Sequence, residues 1–395
     1  MKNKSIGKGT CSVWAGEEKS LMQNATQVPV VHSVSFGYKD ALQWQQVALG
    51  KQKGHIYSRN TNPTVDVFEN KICQLENAEK ATSASTGMGI IHSTLFSFLV
   101  PGQRVVSVKD TYGGTNKIFT EFLPRINVEV TLCNTTDHEA IEAEVAKGCD
   151  LLYLETPTNP TIKIIDLDRL ARAGKKIGAI VVVDNTFATP VNQQPLALGA
   201  DLVLHSATKF LGGHADAMGG VVCGNKELID QIYHYREING ATLDPMSAYL
   251  LLRGMKTLAL RVERQNQSAI EIAKYLDSHP KIEKVFYPGL ESHEGHEIAK
   301  KQMTGFGGML SFILKENTFE AVGTVLANLK FAHSAANLGS VETIVGPPAT
   351  TSHVECSKAE REAMGIPESL IRYSTGIEDI KDLVDDLGNA LSKLK

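Results

Sequence analysis

Apolar residues gather into four short runs through the middle of the chain: Val105-Val106-Ser107-Val108, Leu151-Leu152-Tyr153-Leu154, Ile180-Val181-Val182-Val183 and Leu202-Val203-Leu204. Runs this short, bounded by polar segments, predict buried strands rather than helices. Helical patterns alternate with them, and Gly219-Gly220-Val221-Val222-Cys223-Gly224 follows as a returning strand. Repeated strand–helix units of this kind predict a mostly parallel, doubly wound α/β sheet.

The flanks read differently. Asn62-Pro63-Thr64 has the form of a helix start, with Pro tolerated in the first turn, and Val65, Phe68, Ile72 and Leu75 then make one apolar face. Thr82 to Gly89 reads as a turn of small residues opening an apolar helix from Ile90 to Phe98. A long helical pattern runs from Pro245 through Leu252, Leu258 and Val262 to Leu276. After Pro288-Gly289, strand patterns over 307–313 and 371–374 and helical patterns over 319–329 and 379–394 predict a smaller α+β domain. Residues 1–60 show little regular period but carry Trp14, Phe36, Tyr38 and Trp44, so they are expected to form an arm that buries its aromatics against a neighbouring subunit. A chain of 395 residues exceeds one ordinary core. The expected division is an arm (1–60), an α/β domain (61–255) and a C-terminal α+β domain (256–395).

Composition adds exclusions. With 42% hydrophobic and 21% charged residues the chain has a soluble globular balance. A formal net charge of −4, with acidic and basic residues interspersed, gives no electrostatic case for nucleic acid or an anionic membrane. No apolar stretch reaches spanning length. Met1-Lys2-Asn3-Lys4-Ser5 has positive charge with no apolar region behind it, so no secretory signal is expected. Cys11, Cys73, Cys133, Cys149, Cys223 and Cys356 are scattered without a C-x-x-C pair, which fits reduced thiols in a cytoplasm.

The chemistry sits where the apolar runs end. One run closes on Asp184, and the next delivers His205-Ser206-Ala207-Thr208-Lys209, twenty-five positions further on at the lysine. Open α/β sheets build their sites at the carboxyl ends of strands. An amine, two hydroxyls and a carboxylate are the set needed to hold pyridoxal phosphate: Lys209 for the covalent link, Ser206 and Thr208 for the phosphate, Asp184 to keep the pyridine nitrogen protonated. Ser85-Thr86-Gly87-Met88-Gly89 can offer backbone N–H groups to an anion at a helix N-terminus. Tyr112, in a Gly-rich turn after a strand, can stack on a cofactor ring. Tyr57 and Arg59 pair a hydroxyl with a guanidinium, which suits phosphate. Arg372 lies in an apolar strand, where a buried guanidinium calls for an anion, either a substrate α-carboxylate or a structural Asp or Glu. His205, His214 and Asp216 flank the lysine, but no further ligands stand at usable spacing and no metal is expected.

Taken together these motifs resemble the pyridoxal-phosphate enzymes of cysteine and methionine metabolism, which include cystathionine γ-synthase, cystathionine γ-lyase, methionine γ-lyase and the O-acylhomoserine sulfhydrylases. The likeness runs from Tyr57-Ser58-Arg59-Asn60-Thr61-Asn62-Pro63-Thr64 through Glu155-Thr156-Pro157-Thr158-Asn159-Pro160 and the Lys209 segment to Leu370–Asp379. It implies fold type I, like aspartate aminotransferase, and a homotetramer of two dimers with active sites shared across an interface. In that pattern Tyr57 and Arg59 reach the neighbouring subunit's cofactor phosphate, while Gly87, Met88, Ser206 and Thr208 hold phosphate within the subunit. Tyr112 stacks on the ring, Asp184 pairs with its nitrogen, and Asn159, Asn337 and Arg372 meet the substrate. Lys209, Tyr112 and Tyr57 are the catalytic candidates. The late loop reads Ala336-Asn337-Leu338-Gly339-Ser340, without the Glu that resembles a cystathionine-handling member, and Gly114 stands where methionine γ-lyases resemble one another in a thiol. Asn-Leu-Gly leans to the sulfhydrylases and Thr111-Tyr112-Gly113-Gly114-Thr115-Asn116 to the γ-lyases. The expected reaction is γ-replacement on an O-acylhomoserine by a thiol or sulfide. The alternatives are γ-elimination from cystathionine or methionine-like substrates, and γ-replacement by a carbon nucleophile.

Overall fold

The computed structural model describes residues 6–17, 24–352, 354 and 357–395. Met1–Ser5 and Cys356, on which two of the readings above fall, lie outside these. The four apolar runs are strands, each lengthened by one or two residues: β2 (Arg104–Val108), β4 (Leu151–Glu155), β5 (Ile180–Asp184) and β6 (Leu202–Ser206). With β1 (Lys80–Ala84), β3 (Glu129–Cys133) and β7 (Gly220–Gly224) they form a seven-stranded sheet in the order β1-β7-β6-β5-β4-β2-β3. Strands β3, β2, β4, β5 and β6 run parallel; β7 returns antiparallel to β6, and β1 is antiparallel to β7.

Alternation along each strand covers both faces. Leu152 and Leu154 of β4 pack with Val181 and Val183 against the helices His138–Ala146 and Leu167–Lys176. Leu151 and Tyr153 turn to the opposite face, with Leu202, Leu204 and the helix Gly87–Phe98. Burial on both sides is why these strands read as continuous apolar runs. The helix Pro63–Glu76 starts where expected: the Asn62 side chain accepts from Thr64 N at 2.9 Å, and Phe68, Ile72 and Leu75 are fully buried.

A second sheet has the order β10-β11-β12-β9-β8, built from β8 (Ile282–Phe286), β9 (Met309–Leu314), β10 (His333–Ser334), β11 (Ile344–Gly346) and β12 (Leu370–Ser374). Its apolar cluster includes Leu310, Phe312, Ile371 and Tyr373, with Leu383 and Leu387 from the helix Ile380–Leu391.

Three local readings change. Residues 82–84 belong to strand β1 rather than to a turn, because they pair with β7. The long pattern from Pro245 is two helices, Pro245–Met255 and Leu258–Asp277. The break at Lys256-Thr257 lies one turn before Arg261, whose guanidinium donates to Gly254 O at 2.9 Å and Phe210 O at 2.8 Å, using a carbonyl at the end of the first helix to tie down the turn after Lys209. The arm is not wholly irregular: it holds the short helices Lys8–Trp14 and Ala41–Ala48. The buried amine of Lys71 anchors it through Glu17 at 2.8 Å and Ser12 O at 2.9 Å, while Trp14, Leu42, Trp44 and Leu49 stay exposed. The five cysteines among the described residues are free thiols. Among these residues no helix is long and apolar enough to cross a membrane.

Candidate active site

The carboxyl ends of β4, β5 and β6 open onto a cavity of about 280 Å³ that also receives the N-terminus of the helix Gly87–Phe98 and, from the second sheet, Arg372. Each strand delivers one polar end residue, Glu155, Asp184 and Ser206, and all three line the cavity.

Thr86 caps the helix, its hydroxyl accepting from Gly89 N at 2.9 Å. Gly87 and Met88 N–H fall in the first turn, where no carbonyl of the helix can reach them. A Cβ on Gly87 would lie 2.8 Å from Ser206 Oγ, so only glycine lets the helix end approach the hydroxyl this closely. Thr208 stands beside them in the lining, its hydroxyl donating to Gly219 O at 3.3 Å. Helix N–H groups and hydroxyls converging on one spot make an anion cradle, and the phosphate of a pyridoxal cofactor fits that donor set.

Lys209 is largely buried, and its Nζ donates to Asn337 Oδ1 at 2.8 Å. Burial first, then the positive charge of Arg372, pushes its amine down to about 8. Asp184 takes an N–H from Thr186 at 3.0 Å. Burial raises its carboxyl above the usual range, while the Thr186 hydrogen bonds and the nearby His205 oppose that rise. Arg372 donates to Asn159 Oδ1 at 3.0 Å and to the Asn337 carbonyl at 3.1 Å. Both acceptors are neutral, and among the described residues no carboxylate pairs with it. Of the two anions open for Arg372, the structural one is thus not present, and its charge faces the cavity. Burial lowers it to about 10. Tyr112 stands at the mouth, 46% exposed, with its backbone N–H held by Glu155 Oε2 at 2.8 Å.

Lys209, Asp184, Ser206, Thr208, Gly87, Met88, Tyr112, Asn159, Asn337 and Arg372 therefore come together. Tyr57 and Arg59 do not: within the chain Arg59 donates to the Glu237 carbonyl, and its guanidinium lies 5.9 Å from the Tyr57 ring centre. His205 turns from the cavity to Glu76, with Nε2 and Oε1 2.6 Å apart, and His214 contacts Gly212 O. Sequence reasoning missed the roles of Thr86, Thr186 and Glu155. Glu155 was findable by the rule that singled out Asp184, since it too ends an apolar strand; the two threonines carry no comparable signal.

The family model for Cys/Met metabolism PLP-dependent enzymes matches residues 9–392. The chain belongs to this family. It is 44% identical to an L-methionine gamma-lyase of Fusobacterium nucleatum subsp. polymorphum, covering 100% of both proteins. It is 42% identical to a cystathionine gamma-lyase of Bacillus subtilis, covering 96% of this chain and 97% of that protein. A crystal structure of cystathionine gamma synthase from Xanthomonas oryzae pv. oryzae, in complex with aminoacrylate and cysteine, superposes with a TM-score of 0.93 at 36% identity, covering 98% of each chain. The fold is thus type I, the cofactor is pyridoxal phosphate, and the protein is an enzyme acting on γ-substituted amino acids.

Proposed function

We propose that this enzyme catalyses γ-replacement on an O-acylhomoserine with an uncharged acyl group, using a thiol or sulfide as the incoming nucleophile. The observation that carries the reading is the make-up of the cavity wall away from Asp184. Met88, Tyr112, Ala336, Leu338, Thr351 and Ser352 bring no carboxylate and no cation. Among these described residues a charged γ-substituent would lose its hydration without a partner, whereas a short acyl ester would not.

The pyridoxal ring, when bound, supplies an electron sink for charge developed at the substrate's Cα and Cβ. The residues act around it. Gly87 and Met88 N–H, Ser206 and Thr208 would hold the phosphate, joined by Tyr57 and Arg59 of a second copy. Asp184, whose charged form the Thr186 hydrogen bonds favour, would hold the ring nitrogen in its protonated form. Tyr112 would cover one ring face, and Lys209 would carry the aldehyde carbon. Arg372, positioned by Asn159 and Asn337, would take the α-carboxylate. Lys209 would also be the base for the Cα proton, and loss of a γ-group needs a second proton removal, at Cβ. With its amine near 8, about one lysine in ten is neutral at pH 7, enough for a base that then returns the proton. We further propose a cytosolic homotetramer, in which the exposed aromatics of the arm are covered by a neighbour.

The 44% identity, over the full length of both proteins, to an L-methionine gamma-lyase favours a second reading, γ-elimination, since an uncharged thioether suits the same wall. Purified holoenzyme given O-acetylhomoserine with cysteine or sulfide separates the two. A thioether or thiol product formed at the expense of 2-oxobutyrate is expected. Only 2-oxobutyrate and ammonia, whatever thiol is supplied, would leave elimination standing.

A further inference from the structure

Glu155 carries no role in the reaction as described, yet it is the second carboxylate of the cavity. It ends β4 as Asp184 ends β5, and the two are register partners on neighbouring parallel strands, so their side chains leave the sheet on the same face. Strands in this relation lie about 4.8 Å apart. Both residues are buried, Glu155 at 5% exposure and Asp184 at 7%, and both line the cavity. Two carboxylates this close and this dry cannot both be ionised without a compensating cation.

The surroundings decide which one keeps the proton. Asp184 has Thr186 N at 3.0 Å and the weak approach of Tyr153 Oη at 3.5 Å, and His205 lies on the adjacent strand. Glu155 accepts from Tyr112 N on Oε2, and the Asn159 N–H also faces its carboxyl and favours the charged form, against burial and two neighbouring carboxylates. The groups facing it are Asp184 from β5, Asp110 from the segment after β2, and Tyr153 two residues earlier on its own strand. The neighbouring cation Lys163 is already committed to both oxygens of Asp110 at 2.9 Å. Lys209 and Arg372 share the cavity but turn to Asn337 and Asn159. Burial and the charge of Asp184 both drive the Glu155 carboxyl well above its ordinary range.

We infer that Glu155 is a positioning residue that works as a neutral carboxylic acid: it holds the Tyr112 backbone while leaving Asp184 as the single anion beneath the cofactor's ring nitrogen. The proton on Glu155 removes the like charge that would otherwise push Asp184 toward protonation. Its Oε2 accepts the Tyr112 N–H, which fixes the loop that carries the aromatic ring. One group thus serves the electronics of the site and the placement of Tyr112.

This inference rests on Asp184 and Tyr112 serving the cofactor. A control isolates that premise: unchanged cofactor affinity in Tyr112→Ala would sink the reading of the site and say nothing of the proton on Glu155. Because a neutral acid and an amide are close isosteres, Glu155→Gln should keep kcat/KM within about threefold and leave the pH midpoint of the bound cofactor's visible absorbance where it was. Glu155→Ala, which removes the acceptor of Tyr112 N–H, should weaken cofactor binding about tenfold, the loss of one buried hydrogen bond. If Glu155 were ionised, Glu155→Gln would instead delete a negative charge beside the ring and move the absorbance midpoint by about a unit or more, which overturns the proposal. Neutron diffraction of the wild-type holoenzyme answers without any variant. A deuteron on Glu155 is expected; its absence from both carboxyl oxygens overturns the inference.

Discussion

The wall that β4, β5 and β6 present to the cavity is buried and rich in ionisable groups, whereas the wall made by residues 336–338 and 351–352 is neutral and carried on loops around the second sheet. The first is held by strand register, so its groups keep fixed mutual positions. The second is set by loop sequence, and a change there alters the shape of the cavity without touching Lys209 or Asp184. This division matches the two tasks of a pyridoxal enzyme: cofactor electronics need rigid charge, while selection among γ-substituents needs only a wall of suitable shape and polarity. Arg372 belongs to both, since it leaves β12 of the second sheet to sit among the polar groups of the first.

The sharpest way to break the comparison is to remove the amine of the strand-end wall. Lys209→Ala should lose the bound yellow colour and lower kcat about a thousandfold or more while circular dichroism stays native. A variant that keeps its colour and turnover would show that the rigid wall does not hold the chemistry. The same amine predicts a pH limb. Its value is depressed to about 8, so the neutral form it needs as a base is present above that pH and is lost as pH falls. Activity governed by this group should therefore drop about tenfold per unit below 8, giving about a hundredfold loss two units lower, and level off above. A flat profile through this range would assign the proton transfers elsewhere. For Arg372→Lys, a point charge replaces the planar fork that now spans the Asn159 side chain and the Asn337 carbonyl. KM for the amino acid should rise about ten- to hundredfold with cofactor affinity unchanged.

Much of the charged wall was legible because buried parallel strands advertise themselves as apolar runs, and the residue that ends such a run is placed at the mouth by the topology alone. Asp184, Ser206 and Lys209 follow from that reasoning. The neutral wall left no such trace. The strands β10 and β11 span only His333–Ser334 and Ile344–Gly346, too short for a period, and what holds them is pairing with each other and with the distant β12. Asn337 could be singled out by resemblance, but its hydrogen bond to Lys209 joins residues 128 positions apart and depends on how the late loop packs against the turn after β6. The break after Met255 was hidden for a similar reason: Arg261 reads as one more helical residue until its guanidinium is seen on the carbonyls of Gly254 and Phe210.

Asn337 is where the two walls meet, so its removal tests whether they act independently. Asn337→Ala deletes the only side-chain acceptor that Lys209 Nζ has among the described residues, and keeps the backbone carbonyl used by Arg372. A fall in kcat of about tenfold is expected with KM little changed, because the amine loses its placement while the α-carboxylate keeps its partner. Equal damage to both parameters would mean that the loop positions the substrate as much as the lysine.

The smallest expected effect comes from adding one methyl group to the neutral side. Gly114 sits behind Met88, and a Cβ there would lie 2.7 Å from Met88 Sδ, 3.2 Å from its Cε and 3.0 Å from Tyr112 Cε1. Methionine is the most adaptable of apolar side chains, so in Gly114→Ala the thioether should swing aside rather than the backbone move. Met88 lines the cavity, and any shift of its sulfur reshapes the space open to the γ-substituent. The variant should therefore bind cofactor as well as the parent but change the ratio of kcat/KM for O-acetylhomoserine over methionine by about threefold, the scale of a minor packing adjustment. A ratio that stays fixed while both rates fall together would place the damage on Tyr112 and the cofactor, and position 114 would then belong with the charged wall.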